Sequence, residues 1–209
     1  VTAGPTYEAI DPIRFIGNRS SGKQGIAIAK AFSEMGANVT LILGPSSQKI
    51  PEHVKVINIE TANDMLDAVK KINNIDVAIC AAAVSDWAIK NPSKNKIKKN
   101  NKNFPEINFS LNPDILAYIS NQKSNRPKLV IGFAAETNDL IKNAKDKLKS
   151  KKCDWIIANN VLDDSDIFGG DNNTVTLITR DNIEPWDKCS KTDIAKKLSN
   201  KVIKEILGS

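Results

Sequence analysis

Apolar and polar positions along the chain fall into a repeating alternation of short runs and longer amphipathic stretches. Gly25–Met35 is helical by propensity, and Gly36-Ala37 ends it as a C-cap would. Asn38–Leu43 is an apolar run bounded by turn residues, which suits a strand buried on both faces. Val54–Ile59 alternates as a strand. Thr61–Ile72 predicts an amphipathic helix with a Thr cap and Asp64 in its first turn, and Ile75–Ile79 another strand. Lys128–Phe133, a helix from about Thr137 to Ser150, and Trp155–Ala158 continue the pattern. Asn173–Thr179 reads as a more polar edge strand, and Lys191–Leu207 as a closing helix whose Ile194, Leu198, Val202 and Ile206 recur every fourth residue. Repeated β-α alternation predicts an α/β domain, a parallel sheet covered by helices. Two polar stretches interrupt it, 85–112 and 159–173, and both follow predicted strands. In an open α/β sheet the ligand crevice lies beyond the carboxyl ends of the strands, so Gly4, Ala81–Asp86, Phe133–Thr137 and Asn159–Asp171 should converge there.

Composition narrows the classes. A chain of 209 residues with 41% hydrophobic and 26% charged residues can bury one core, and no apolar run approaches the ~20 residues of a membrane helix. The start of the chain has no secretory signal pattern and no initiator Met, which suggests a domain excised from a longer protein. Cys80, Cys153 and Cys189 are odd in number and far apart, so neither a disulfide framework nor a zinc site is indicated, and a reducing, cytoplasmic home is expected. The single histidine, His53, sits in a polar segment and reads as an exposed loop residue. The net charge of +6 is located in one place: residues 90–102 hold six lysines and no acid. A nucleic-acid binder would spread such charge over a face or interleave aromatics, which make up only 5% here. The lysine run is either a solvated segment or a flap that closes over polyphosphate.

The candidate chemistry starts at the glycine-rich stretch from Arg14 to Gly25. The first turn of a helix leaves backbone N–H groups unpaired and carries the positive end of the macrodipole. Ser20 and Ser21 add hydroxyls, Gly22 lets the backbone come close to an anion, and Lys23 supplies a charge, so the stretch reads as a phosphate cradle. The spacing from Gly17 to Lys23 copies part of a P-loop, but Gln24 stands where that motif places a magnesium-binding hydroxyl, which rejects that reading. A plain strand-to-helix turn with a solvated lysine accounts for the turn alone equally well.

Several motifs in order then carry a resemblance: Thr2-Ala3-Gly4-Pro5-Thr6; Asp11-Pro12, Arg14-Phe15-Ile16, Asn18 and Ser20-Ser21-Gly22-Lys23 with Gly25; Ala81-Ala82-Ala83-Val84 with Asp86; Lys96-Ile97-Lys98-Lys99; Asn112-Pro113-Asp114-Ile115; and Gly132-Phe133-Ala134-Ala135-Glu136-Thr137. Together they resemble phosphopantothenoylcysteine synthetase, a family often found as the C-terminal half of a bifunctional coenzyme A biosynthesis protein, and the likeness covers nearly the whole chain. The resemblance implies a Rossmann-like open, mostly parallel sheet with helices on both faces, a single ligase domain over residues 1–209, and a flap and dimerisation excursion at about 85–112. It also implies the reaction. The carboxylate of 4′-phosphopantothenate attacks the α-phosphorus of CTP, giving an acyl-cytidylate and pyrophosphate, and L-cysteine then captures the acyl group as CMP leaves.

Residue by residue, the resemblance gives Arg14 and Asn18 to the second half-reaction and Lys96 to acyl-cytidylate formation. It implies nucleotide contacts from Gly4, Ser20, Ser21, Gly22, Lys23, Gly25, Ala81, Ala82, Ala83, Asp86, Pro113, Asp114, Ile115, Leu116, Phe133, Lys147 and Lys151. Lys147 and Lys151 lie four apart, on one face of a helix. Mg²⁺ is expected mainly through the triphosphate, with Asp86 as a candidate ligand. The partners implied are the three small substrates, a second copy of the chain completing the site, and an N-terminal flavin-dependent decarboxylase domain, with no nucleic acid and no membrane. Gly17, Arg19, Trp87 and Asn95 depart from the family pattern without removing a proposed catalytic group.

Two competing readings remain at this stage. An NAD(P)-dependent short-chain reductase would also place a glycine-rich turn after a strand, but it needs a Tyr-x-x-x-Lys pair. Tyr118 is followed four residues later by Gln122, and Tyr7 by Asp11. A non-catalytic anion- or RNA-binding module using the lysine run would show steep salt dependence and no nucleotide chemistry.

Overall fold

Strand β1 (Thr2–Ala3) is buried on both faces, and the sheet is built outward from it. In this computed structural model, which describes residues 1–99, 106–161 and 170–208, β4 (Thr40–Leu43) and β5 (Lys55–Asn58) lie to one side of β1. To the other side lie β6 (Val77–Cys80), β9 (Leu129–Glu136) and β10 (Trp155–Asn160), all parallel to it. The chain lays down β1, β4 and β5 in one direction and then returns across β1 to add β6, β9 and β10. The direction of winding therefore reverses between β1 and β6, and a crevice opens beyond their carboxyl ends.

The eight-stranded sheet is completed by β11 (Asn172–Ile178) and β12 (Ile183–Ser190), both added antiparallel. The stretch at 173–179, expected as an edge strand, is therefore interior, and β12 is the edge. Its sequence hid it: Pro185 and the exposed Asp187 and Lys188 suit an edge that must not pair further, while buried Trp186 carries its inward packing.

Helices cover both faces. The apolar sides of α1 (Lys23–Glu34) and α5 (Lys191–Leu207) share one core with Leu41, Ile131 and Ile157; α5 contributes Ile194, Leu198 and Val202 there. On the opposite face α2 (Ala62–Lys70), α3 (Ile115–Ser120) and α4 (Leu140–Lys151) pack Met65, Ile115, Leu116 and Ala144 over Val130 and Ile156. Thr61 and Asp64 close a reciprocal capping box at α2, and Ser190 caps α5 by accepting from the Asp193 amide at 3.0 Å. Two glycines set how closely helices approach the sheet. A Cβ on Gly25 would lie 2.4 Å from the Ala3 Cβ, and one on Gly132 would lie 2.5 Å from a Leu116 methyl.

The excursion at 85–112 carries regular structure that its polar sequence concealed. Trp87–Ile89 (β7) and Phe109–Leu111 (β8) form an antiparallel pair, and a second small pair joins β2 (Tyr7–Ala9) to β3 (Phe15–Gly17). The tip of the excursion, 100–105, and most of the second polar stretch, 162–169, lie outside the described residues.

Candidate active site at the switch point

The carboxyl end of β1 runs into backbone packed on backbone. Gly4 and Gly22 both have φ of +77°, a conformation that favours glycine. A Cβ on Gly4 would lie 3.0 Å from the Gly44 carbonyl oxygen, and one on Gly22 would lie 3.3 Å from the Gly4 Cα. The first turn of α1 is thereby seated against the end of β1. Its outermost amides are weakly held: Gly22 N–H reaches the Ser20 Oγ at 3.4 Å, and Lys23 N–H the Ser21 Oγ at 3.5 Å. These amides lie at the positive end of the α1 macrodipole, where an anion is favoured. Lys23 itself is turned to Asp171, with Nζ 2.9 Å from Oδ1, and its ammonium holds that carboxyl below the usual range. Lys23 thus bridges α1 to the start of β11. Gly25 is corrected, from a ligand-facing glycine to a buried contact between α1 and β1.

The end of β6 forms the next wall. Ala81, Ala82 and Ala83 donate their amides to Thr2 O (3.1 Å), Thr2 Oγ1 (3.3 Å) and Gly4 O (2.9 Å), so this run offers methyl groups and carbonyl oxygens to a ligand. Thr6 continues the zipper by donating to Ala83 O at 3.3 Å and accepting from the Ser85 amide at 3.0 Å. Asn18 is brought here, its Nδ2 donating to Val84 O at 3.1 Å. Asp86 is exposed beside it. Asn112 fastens the far side, donating from Nδ2 to Ser85 O at 2.9 Å and from its backbone to Asp86 O at 3.0 Å.

A third wall rises from α3 and α4. Asp114 caps α3, accepting from the Ala117 amide at 2.8 Å, and pairs with Lys151. Lys147 donates from Nζ to Phe133 O at 2.8 Å. Burial pulls the Lys147 ammonium below its ordinary pKa, opposed by Glu136. For Asp114 burial pushes upward, but the Ala117 amide and Lys151 outweigh it and the carboxyl lies low. The helix spacing of Lys147 and Lys151 therefore brings both to one wall. Ile115 and Leu116 are buried core residues at 4% and 7% exposure, so their side chains hold α3 on β9 rather than face the crevice, while Pro113 is half-buried. Beneath this wall burial pushes the Cys80 thiol up to about 12 and that of Cys153 up to about 11, so neither is a nucleophile near neutral pH.

Arg14 and the segment bearing Lys96 meet across the crevice mouth. The Arg14 fork grips Asp11, with Nε at 3.0 Å from Oδ2, and Nη2 also donates to Ile97 O at 2.9 Å. Arg14 thus forks onto a carboxylate, that of Asp11, and ties it to the segment at Ile97. Lys96 is exposed beside that anchor. The partners that sequence reasoning missed are Asp11, Thr6 and Asn112. Asp11 entered only as part of a family motif, and nothing local revealed that a residue 86 positions away would bind it.

Among the described residues no group of three or more His, Cys, Asp or Glu gathers as a metal cage. Asp86 is exposed, while the other carboxylate of the walls, Asp114, is engaged by Lys151 and the Ala117 amide, a set that fits Mg²⁺ carried in on phosphates. Two cavities lie elsewhere. One of about 830 Å³ sits at the amino ends of the strands between Val1, Thr40, Val77 and Val202. Another of about 770 Å³ is lined by Lys23, Lys30, Lys191 and Lys196 with Asp171.

Residues 1–206 match the family described as DNA/pantothenate metabolism flavoprotein C-terminal domain. The chain is 41% identical over 206 residues to the coenzyme A biosynthesis bifunctional protein CoaBC of Haemophilus influenzae, covering 97% of this chain and 50% of that protein. It is 42% identical over 184 residues to the protein of the same name from Escherichia coli, covering 87% and 45% respectively. The chain thus spans about half the length of the curated relatives it matches. A crystal structure of the C-terminal domain of CoaBC superposes with a TM-score of 0.82 at 34% identity, covering 100% of this chain and 94% of that one. The Rossmann-like fold is shared with the solved C-terminal domain of CoaBC, and the chain belongs to the DNA/pantothenate metabolism flavoprotein C-terminal domain family.

Proposed function

We propose that this domain joins 4′-phosphopantothenate to L-cysteine at the expense of CTP, through an acyl-cytidylate. The observation that carries the reading is the convergence at one switch point of an amide side chain, Asn18, with cations supplied from two separate directions, Lys147 and Lys151 on α4 and Lys96 on the excursion. Phosphoryl transfer asks for charge neutralisation and in-line placement more than for a covalent partner, and lysines and helix amides supply both. Lys147, Lys151 and the α1 amides hold the triphosphate. The methyl groups and carbonyl oxygens of Ala81–Ala83 and the Phe133 region receive the base and ribose, and the carbonyls accept from a base amino group. Lys96 closes over the α-phosphate as the pantothenate carboxylate attacks, offsetting the charge that grows on the equatorial oxygens. Asn18 then orients the mixed anhydride, donating to the acyl oxygen while its Oδ1 accepts from the cysteine amine. Arg14 supports that step from its place on Asp11. Mg²⁺, when bound, adds Lewis-acid neutralisation of the phosphates, with Asp86 as its protein ligand.

The excursion at 85–112 has a second role in this reading. Ile13, Phe15, Trp87, Phe109 and Leu111 are all more than half exposed, and they sit on two small hairpins that touch each other through β2 and β7. Such a cluster is the surface a second copy of the chain would cover, giving a homodimer. The relatives' names, which describe a bifunctional protein of coenzyme A biosynthesis, support a natural chain with a second functional domain, and the family resemblance makes that domain a decarboxylase and the site of action cytoplasmic.

The test is pyrophosphate release on mixing the protein with CTP and 4′-phosphopantothenate, followed by amide formation on adding cysteine. Titration calorimetry with CTP and ATP in parallel reads nucleotide preference. Asn18→Asp is expected to release pyrophosphate near the parent rate yet form amide about a hundredfold more slowly, because the oriented amide is lost only in the second step. A folded protein that turns over neither nucleotide would sink the ligase reading, and loss of the first step alone in Asn18→Asp would reverse the role given to that residue.

A further inference from the structure

Asp11 is 2% exposed, although it lies in the turn between two short exposed strands. A buried carboxylate costs several kcal/mol unless its oxygens are satisfied, and here they are satisfied in an informative way. Oδ1 accepts from the amides of Ile13 and Arg14, each at 2.9 Å, and so shapes the turn itself. Oδ2 accepts from the Arg14 guanidinium and, at 3.0 Å, from the amide of Ile97. Arg14 Nη2 returns to the Ile97 carbonyl at 2.9 Å. Both backbone groups of Ile97 are therefore held by one ion pair, and Ser93 N–H adds a third tie to Ile10 O at 2.9 Å. Residues 91–99 have no helix or strand of their own, so these ties set where the segment lies.

We propose that Asp11 is a positioning residue for Lys96: with Arg14 it forms a latch that holds the lysine-rich segment at the crevice mouth, and it acts on the first half-reaction through Lys96 without touching substrate. The inference rests on the ligase reading for its consequence in catalysis, but the latch itself is tested without turnover.

In Asp11→Asn, Nδ2 or a neutral oxygen replaces the anionic acceptor, and amides 93–99 should exchange with deuterium about tenfold faster or more, since hydrogen bonds to charged groups are worth more than the 1.4 kcal/mol that a factor of ten represents. Amides of β9 and β10 should be unchanged. Unchanged exchange at 93–99 would overturn the latch. If exchange rises throughout the molecule, Arg14→Lys decides, because it keeps a cation beside Asp11 but loses the planar fork that reaches both Asp11 and the Ile97 carbonyl: local acceleration in 93–99 supports the latch and none refutes it. In the reaction, Asp11→Asn should lower kcat for pyrophosphate release toward the level of Lys96→Gln while KM for CTP stays within about twofold, as loss of an interaction used only in the transition state requires. Added to Lys96→Gln it should cost almost nothing further, as expected when one residue acts through the other. Fully additive losses would show that Asp11 works independently of Lys96. Should no variant or parent turn over, the exchange result still stands on its own.

Discussion

The two cationic walls of the crevice are built by different means. On α4 the lysines are placed by a regular helix that buries Ala144 against the sheet, and each ammonium already has a fixed oxygen: Phe133 O for Lys147 and Asp114 for Lys151. Across the mouth Lys96 stands on a segment with no regular structure, anchored through Ile97 by the Asp11–Arg14 pair. A cation fixed before the ligand arrives lowers the energy of ground state and transition state alike, which is binding. A cation delivered by a segment tied at a few points can meet charge that appears only during reaction, which is catalysis. The same residue type thus serves two tasks according to what holds it.

The largest effect that would test this contrast is expected at Lys96. Lys96→Gln should lower the rate of pyrophosphate release about 10²–10³-fold, the range seen when one stabiliser of charge that develops in the transition state is removed, with the dissociation constant for CTP little changed. A smaller and different effect is expected at the fixed wall. Lys147→Gln should weaken CTP about tenfold, close to the value of one charge-assisted hydrogen bond, while pyrophosphate release at saturating CTP stays near the parent rate. Calorimetry and a stopped-flow pyrophosphate assay separate the two. If Lys147→Gln instead stopped the chemistry and Lys96→Gln weakened binding, the assignment of fixed and delivered cations would be inverted.

The same division explains what could be read from the sequence. The parallel sheet, its helices and the crevice position follow from periodicity, because each strand and helix is specified by neighbours within a few residues. For Lys147 and Lys151 the spacing of four on a helical stretch made the shared face legible, while their place in a nucleotide site was implied only by the family resemblance. β12 escaped because an edge strand carrying Pro185 and outward charges resembles a loop. The latch escaped more completely. Its energy lies in contacts between residue 11 and residue 97, whose separation no local pattern encodes, and Arg14 could be named as functional only through a family motif that does not show its partner. Lys23 shows a related limit: its local context points to phosphate, and its ion pair with a distant carboxylate, Asp171, is encoded by no local pattern.

The smallest expected effect probes what holds Lys151 on the fixed wall. Asp114 does two things at once, capping α3 at 2.8 Å and pairing with Lys151. Asp114→Ala removes both and should cost about 1 kcal/mol, the usual loss for a cap. Asp114→Asn keeps a capping oxygen and loses only the charge, so its loss should be a few tenths of a kcal/mol, as for a partly exposed ion pair. The charge component has a defined pH window. The folded-state pKa of Asp114 is lowered, so the folded protein binds the proton less readily than the unfolded chain, and the difference in stability between the parent and Asp114→Asn is fully present above the unfolded value of about 3.9. It is lost as pH falls from there through the folded pKa. Thermal melts of the parent and both variants at neutral pH and at about pH 3 check this. Equal losses in Ala and Asn at neutral pH would mean that the ion pair, and not the cap, dominates at Asp114. The α4 wall would then owe its fixed lysine to charge, as the Asp11 latch does, and the contrast between the two walls would narrow to a difference in what carries them.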